Sequence, residues 1–122
     1  MHELSLSTAI VETAAKHCGG RRVTAVFVNV GGLRQVSPQS LEFYFEFVAR
    51  GTVCDDARLE QTLIAPRLRC QDCDEEWELR LPVFACGSCG SRHTTIIAGQ
   101  EFEVDSIEIE VDEEKGLCIA HG

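Results

Sequence analysis

Arg21-Arg22-Val23-Thr24-Ala25-Val26-Phe27-Val28-Asn29-Val30 is the stretch that decides the fold. It is rich in β-branched residues, and its apolar residues fall at both odd and even positions. Such a run forms a central strand covered on both faces. Gly19-Gly20 before it and Gly31-Gly32 after it set its limits. The flanking sequence offers two helices to cover it. Residues 4–18 place Leu6, Ile10, Ala14 and Cys18 four apart, with Val11 and Ala15 beside them, which is an amphipathic helical pattern. On the other side, Ser37 is a helix N-cap and Pro38 fits the first helical position. Leu41, Phe45 and Val48 form the stripe of this second helix, Tyr44 and Phe47 widen it, and Gly51 closes it.

Downstream, a short strand is expected from Leu59 to Ile64, ended by Pro66. Residues 67–93 differ in composition, with four cysteines, five acids and little core material beyond Trp77, Leu79, Leu81 and Phe84. Trp77, Leu79 and Leu81 alternate with Glu78 and Arg80, the pattern of a short hairpin strand. From Glu101 to Asp112 apolar and polar residues alternate again. Phe102 and Val104 are even-numbered while Ile107, Ile109 and Val111 are odd, so a bulge is expected near Asp105-Ser106. The tail from Glu113 to Gly122 reads as loosely ordered. The fold class is α+β, with two helices packed on one face of a three-stranded sheet and a small cysteine module inserted before the last strand. The expected domains are residues 1–66 with 97–122, an α/β domain, and residues 67–96, a four-cysteine zinc ribbon.

The chain has 122 residues, of which 44% are apolar and 25% charged, enough for one modest core. It carries 20 acids against 11 bases, a formal charge of −9. That balance argues against binding nucleic acid through an overall field, which needs clustered Lys and Arg. No apolar run approaches the ~20 residues of a membrane span. The opening Met1-His2-Glu3-Leu4-Ser5 puts an acid where a signal peptide needs basic residues, so a cytoplasmic location is expected. In a reducing compartment the 7 cysteines are ligands or buried thiols in preference to disulfides.

Cys70-x2-Cys73 and Cys86-x2-Cys89 are separated by twelve residues. Two such turns present four thiolates to one tetrahedral ion, and the two-residue spacer lets both sulfurs of a turn bind the same metal. Gly87 and Gly90 supply the tight turn after Cys86, while Arg69 and Arg92 flank the site. The reading is a structural zinc site at Cys70, Cys73, Cys86 and Cys89. An iron site of rubredoxin type has the same spacing, and a pair of redox dithiols is the third reading. Four thiolates leave a zinc ion no open position, so this module is expected to support folding and not catalysis.

At the other end of the chain, the α-amine of Met1 and the amide nitrogen and Nδ1 of His2 can close adjacent chelate rings. Glu3 can add its amide nitrogen or its carboxylate. Such nitrogen-rich, near-planar ligation favours Ni(II) or Cu(II) over zinc. The same Met1-His2-Glu3-Leu4-Ser5 resembles the opening of the HypA/HybF family of hydrogenase-maturation nickel metallochaperones. So do Arg22 to Val26, Gly31-Gly32-Leu33, Ser37-Pro38, Ala49-Arg50-Gly51-Thr52, the two cysteine turns, Gly99-Gln100-Glu101-Phe102 and Ser106 to Glu110. The likeness runs from Met1 to about Val111, with its elements in the family's order. It implies a nickel site at His2 assisted by Met1 and Glu3, and structural zinc at the four cysteines. It also implies delivery of Ni(II) to the large subunit of [NiFe]-hydrogenase, with the GTPase HypB as partner. From the charge balance and the lack of a membrane span, no nucleic-acid or membrane partner is expected, and the chain is read as a monomer or homodimer.

Other candidates carry plainer readings. His17 is a favourable charge at a helix C-terminus and Cys18 a core residue. Cys54 has no assigned role. His93 is a solvated loop residue. Cys118-x2-His121 offers only two ligands on a tail. Glu101, Glu103, Asp105, Glu108, Glu110, Asp112, Glu113 and Glu114 read as the solvated face of an edge strand, with a docking surface for a basic partner as the alternative. No catalytic constellation or phosphate loop is present, so the chain is not read as an enzyme. The competing function is a zinc-ribbon adaptor that binds protein or nucleic acid without carrying nickel.

Overall fold

The computed structural model describes residues 2–79, 84–111 and 118–120. Helix α1 runs over His2–His17, beginning two residues before the periodic stripe, and Gly19 and Gly20 end it at φ 63° and 78°. Its buried face is Ser7, Ile10, Val11 and Ala14, continued by Cys18. Leu6 is only half-buried and Ala15 is exposed, so the stripe is rotated from the one expected. His17 sits over the last turn with Nδ1 2.9 Å from the Thr13 carbonyl.

Strand β1, Val23–Gly31, is buried at Val23, Ala25, Val26, Val28 and Val30, residues of both parities. Its place matches that pattern, because it lies between two other strands. A turn of 3-10 helix at Gly32–Arg34 leads on to helix α2, Pro38–Ala49. Ser37 caps α2, its Oγ accepting from the Ser40 amide at 3.3 Å, and Pro38 fills the first turn. Leu41, Phe45 and Ala49 are buried. Burying each of the larger side chains contributes about 1.5–3 kcal/mol. Phe47 does not widen the stripe as expected. It is exposed, together with Phe43.

α1 and α2 run parallel. The Ser37 amide donates to Glu3 Oε2 at 3.4 Å, and Ser7 Oγ donates to the Leu41 carbonyl at 3.3 Å, both contacts spanning 34 residues. A constant offset along two helices requires that they point the same way.

Strand β2, Arg58–Ile64, and strand β6, Phe102–Ile109, flank β1. In β6 the burial changes phase between Ser106 and Ile107, which are both buried, one residue beyond the bulge expected. The sheet has a fourth strand. Strand β7, Cys118–Ala120, pairs antiparallel with β6 through Ile107↔Ala120 and Ile109↔Cys118, giving the order β2-β1-β6-β7. Part of the tail is therefore ordered by pairing, and β6 is an inner strand, not an edge. Its acids also have local partners. Asn29 Nδ2 donates to Glu103 Oε1 at 3.2 Å, and Arg58 lies 3.7 Å from Glu108. Asp112, Glu113, Glu114 and His121 lie outside the described residues.

The chain divides into two compact units. The first contains α1, α2 and most of the four-stranded sheet. The second contains Val30–Gln35 and Leu63–Phe102. Within this second unit, strands β3 (Arg67–Cys70), β4 (Glu76–Glu78) and β5 (Thr94–Ala98) form an antiparallel sheet of order β4-β3-β5. Leu68 is fully buried and faces Trp77 across β3 and β4. The hairpin strand expected at Trp77 is thus β4, which stops at Glu78, while Arg80 and Leu81 fall outside the described residues. Among the described residues no helix is long and apolar enough to cross a membrane.

Candidate metal centres

The two cysteine turns are near-copies of one backbone device. In the first, the Cys70 amide donates to the Glu75 carbonyl at 2.8 Å and the Asp74 amide to the Cys70 carbonyl at 2.9 Å. In the second, Cys86 donates to Ser91 and Gly90 donates to Cys86, both at 2.8 Å. The fourth residue after each leading cysteine is left-handed, Asp74 at φ 63° and Gly90 at φ 74°. Gly90 is thus the turn glycine expected, whereas Gly87 has no positive φ. Asp74 occupies the equivalent position, which short polar side chains tolerate.

These turns bring the four sulfurs of Cys70, Cys73, Cys86 and Cys89 within 4.8 Å of one another. Cys70 pairs with Cys89 and Cys73 with Cys86, each at 3.6 Å, so both contacts join the two turns. Four sulfurs ~2.3 Å from a central ion stand about 3.8 Å apart in a tetrahedron, so the cluster has the dimensions of a tetrathiolate site. Iron and zinc demand nearly the same spacing, so the geometry fits either ion.

The electrostatics favour thiolates unequally. The Cys89 and Ser88 amides aim at Cys86 and hold its thiol down at about 7. The Glu75 amide favours the Cys73 thiolate, but sharing a proton with Cys86, together with desolvation, pushes Cys73 up to about 12. Cys70 and Cys86 are buried while Cys73 and Cys89 are exposed. Sequence reasoning missed the polar clasp beside the cluster. Ser91 Oγ donates to Asp72 Oδ2, His93 Nδ1 lies 3.4 Å from the same oxygen, and the Gln71 amide donates to the His93 carbonyl at 2.8 Å. His93, expected in solvent, is exposed but helps to join the two turns. Arg69 pairs with Asp74 at 3.2 Å, and Arg92 is exposed.

The second candidate centre lies at the start of α1. Met1 itself is outside the described residues. His2 is about half exposed, and its Nε2 lies 3.8 Å from Glu3 Oε2. The backbone amides of Glu3 and Ser37 hold the Glu3 carboxyl below the usual carboxylate range. Among the described residues no other group of three or more His, Cys, Asp and Glu converges as the four cysteines do.

Residues 1–109 match the family model described as HypA, hydrogenase/urease nickel incorporation, metallochaperone. The hydrogenase maturation factor HypA of Geotalea uraniireducens is 38% identical over 110 residues, covering 90% of this chain and 100% of that one. That of Aquifex aeolicus is 36% identical over 115 residues, covering 92% and 100%. A solution structure of a HypA protein superposes with a TM-score of 0.62 at 25% identity, over 91% of this chain and 94% of the other. The solution structure of the Ni metallochaperone HypA from Helicobacter pylori shares the fold, with a TM-score of 0.64 at 24% identity over 90% and 98%. Cys118 and His121 lie beyond the segment matched by the family model.

Proposed function

The chain belongs to the HypA family of nickel-incorporation metallochaperones, and on that premise we propose that it carries Ni(II) on Met1, His2 and Glu3. The cargo is delivered to the large subunit of [NiFe]-hydrogenase during maturation, with the GTPase HypB as working partner. Cys70, Cys73, Cys86 and Cys89 hold a structural Zn²⁺. Residues 67–96 are the zinc-ribbon domain, and residues 1–66 with 97–122 carry the nickel site. The family works by carrying metal, so no catalytic residue is assigned.

The observation that carries the nickel reading is the exposed His2 imidazole beside the Glu3 carboxylate. Its Nε2 lies 3.8 Å from Glu3 Oε2. A terminal site with few ligands also releases its ion readily to a deeper one, as a carrier must. For the cysteines, the support is the convergence of all four sulfurs and the amides that stabilise the Cys86 thiolate.

The test is metal analysis and calorimetry on untagged protein. The wild type is expected to hold one zinc as purified and to take up one further Ni(II). His2→Ala should lose the nickel and keep the zinc. Equal nickel affinity in both proteins would remove His2 from the site. Salt-sensitive nucleic-acid binding with no nickel uptake would replace the carrier reading with that of an adaptor.

A further inference from the structure

α2 carries two stripes, and only one is used by the fold. Leu41, Phe45 and Ala49 face the core. Gln39, Glu42, Phe43, Glu46, Phe47 and Arg50 are all exposed, and their spacing places them along one outward face. Phe43 and Phe47 stand one turn apart along one side of it, 65% and 58% exposed. The rings are held in place from within the chain. Phe43 meets Tyr44 edge-to-face with centroids 5.3 Å apart, and the Arg50 guanidinium lies 5.8 Å from the Phe47 centroid. Two ordered aromatic rings in water on a helix whose other face is already packed form a platform awaiting a partner.

Charge selects the occupant. Glu42 and Glu46 run along one flank of the rings, and the chain as a whole carries −9. A second copy packed antiparallel about a two-fold axis would set these carboxylates against their own equivalents. A helix with an apolar seam and Lys or Arg beside it fits better, because its seam covers the rings while its cations meet the flank. We propose that the outward face of α2, with Phe43 and Phe47 along one side and Glu42 and Glu46 along the other, docks a basic amphipathic helix of another protein.

The probes are three synthetic peptides, followed by fluorescence anisotropy against the full chain. One is a helical peptide with a leucine seam and lysine flanks, the second has the same composition scrambled out of helical register, and the third carries glutamate flanks. The basic helix is expected to bind at least ten-fold more tightly than either control, and to weaken as salt rises. Phe43→Ser with Phe47→Ser should abolish the preference, while Glu42→Lys with Glu46→Lys should transfer it to the glutamate peptide. Circular dichroism and nickel uptake of both double variants should match the wild type, which separates this surface from the metal site. Equal binding of basic and scrambled peptides, or binding unchanged by the Phe substitutions, overturns the proposal. A concentration-dependent dimer in sedimentation that disappears in the Phe variant overturns it in favour of self-association.

Discussion

Asp74 and Gly90 hold the same place in the two cysteine turns, each four residues after a leading cysteine and each left-handed, at φ 63° and 74°. Their cost is unequal, because a Cβ is disfavoured there and glycine escapes the penalty. Gly90→Ala should therefore destabilise the second unit by about 1–2 kcal/mol. Asp74→Gly removes strain but also loses an exposed ion pair with Arg69, and exposed pairs contribute little. It should leave stability within about 0.5 kcal/mol of wild type. Trp77, the one tryptophan, lies in β4 of this unit, so its emission during urea unfolding reads the effect.

The sequence exposes what depends on local pattern. β1 reads as central because its apolar residues have both parities, and Ser37-Pro38 reads as a helix start because the cap is a short-range hydrogen bond. The cysteine spacing likewise announces a tetrathiolate cluster. What depended on distant partners did not show. β3 and β5 are short, β3 alternating Arg with apolar residues and β5 reading Thr94-Thr95-Ile96-Ile97-Ala98, and they are fixed by pairing with each other. β7 is ordered by its pairing with β6. The exposure of Phe47 and the burial of Ser7 follow from how α1 and α2 face each other, which a single helix's periodicity does not contain. Asp74 gave no signal either, since nothing in its neighbours marks a left-handed residue.

Ser7 is a meeting point of the two helices, fully buried with its hydroxyl on the Leu41 carbonyl. Ser7→Ala should cost about 1 kcal/mol, the loss of one buried hydrogen bond. Ser7→Leu should cost about 1–3 kcal/mol by forcing the helices apart. Chemical unfolding followed by helical circular dichroism checks both, and a stabilised leucine variant would contradict the close packing.

Glu3 ties the start of α1 to the start of α2, and its folded pKa lies below its unfolded one. Across that interval the folded state binds fewer protons than the unfolded chain. The stabilisation is thus complete above the unfolded value, near the ordinary carboxylate pKa, and is lost as pH falls through the folded value. Glu3→Gln should lower the thermal midpoint at pH 7 and converge with wild type in strong acid. Parallel curves at all pH values would show that the charge of Glu3 adds nothing.

Zinc binding should release protons in a pH-dependent number. Each coordinating thiol must be deprotonated, and without metal Cys86 titrates at about 7 while Cys73 is pushed up to about 12. Below neutrality nearly all four protons leave when the ion binds. Raising the pH through neutrality ionises Cys86 beforehand, so the count should fall by about one between pH 6 and pH 8. Calorimetric titration of the apo protein in buffers of different ionisation enthalpy measures it. The same linkage predicts that apparent zinc affinity weakens as pH drops, as thiols recapture their protons.

Cys54 lies outside the cluster and should behave in the opposite way to Cys86. It is fully buried, and desolvation, with a smaller contribution from Cys18 nearby, pushes its thiol up to about 11. The thiol form is the unreactive one, so native Cys54 should resist iodoacetamide at pH 8, at which unfolded protein is labelled. Its effect on stability has a definite sign. An unfolded cysteine ionises near pH 8.5, whereas Cys54 in the folded chain keeps its proton to higher pH. Above that value the unfolded state holds fewer protons than the native state, so stability falls as pH rises toward 11. Cys54→Ala removes this alkaline loss at the cost of a small cavity. The variant should therefore start below wild type at pH 7 and lose less between pH 8.5 and pH 10.5 in urea unfolding. Identical slopes for the two proteins would mean that the thiol ionises as freely in the fold as out of it.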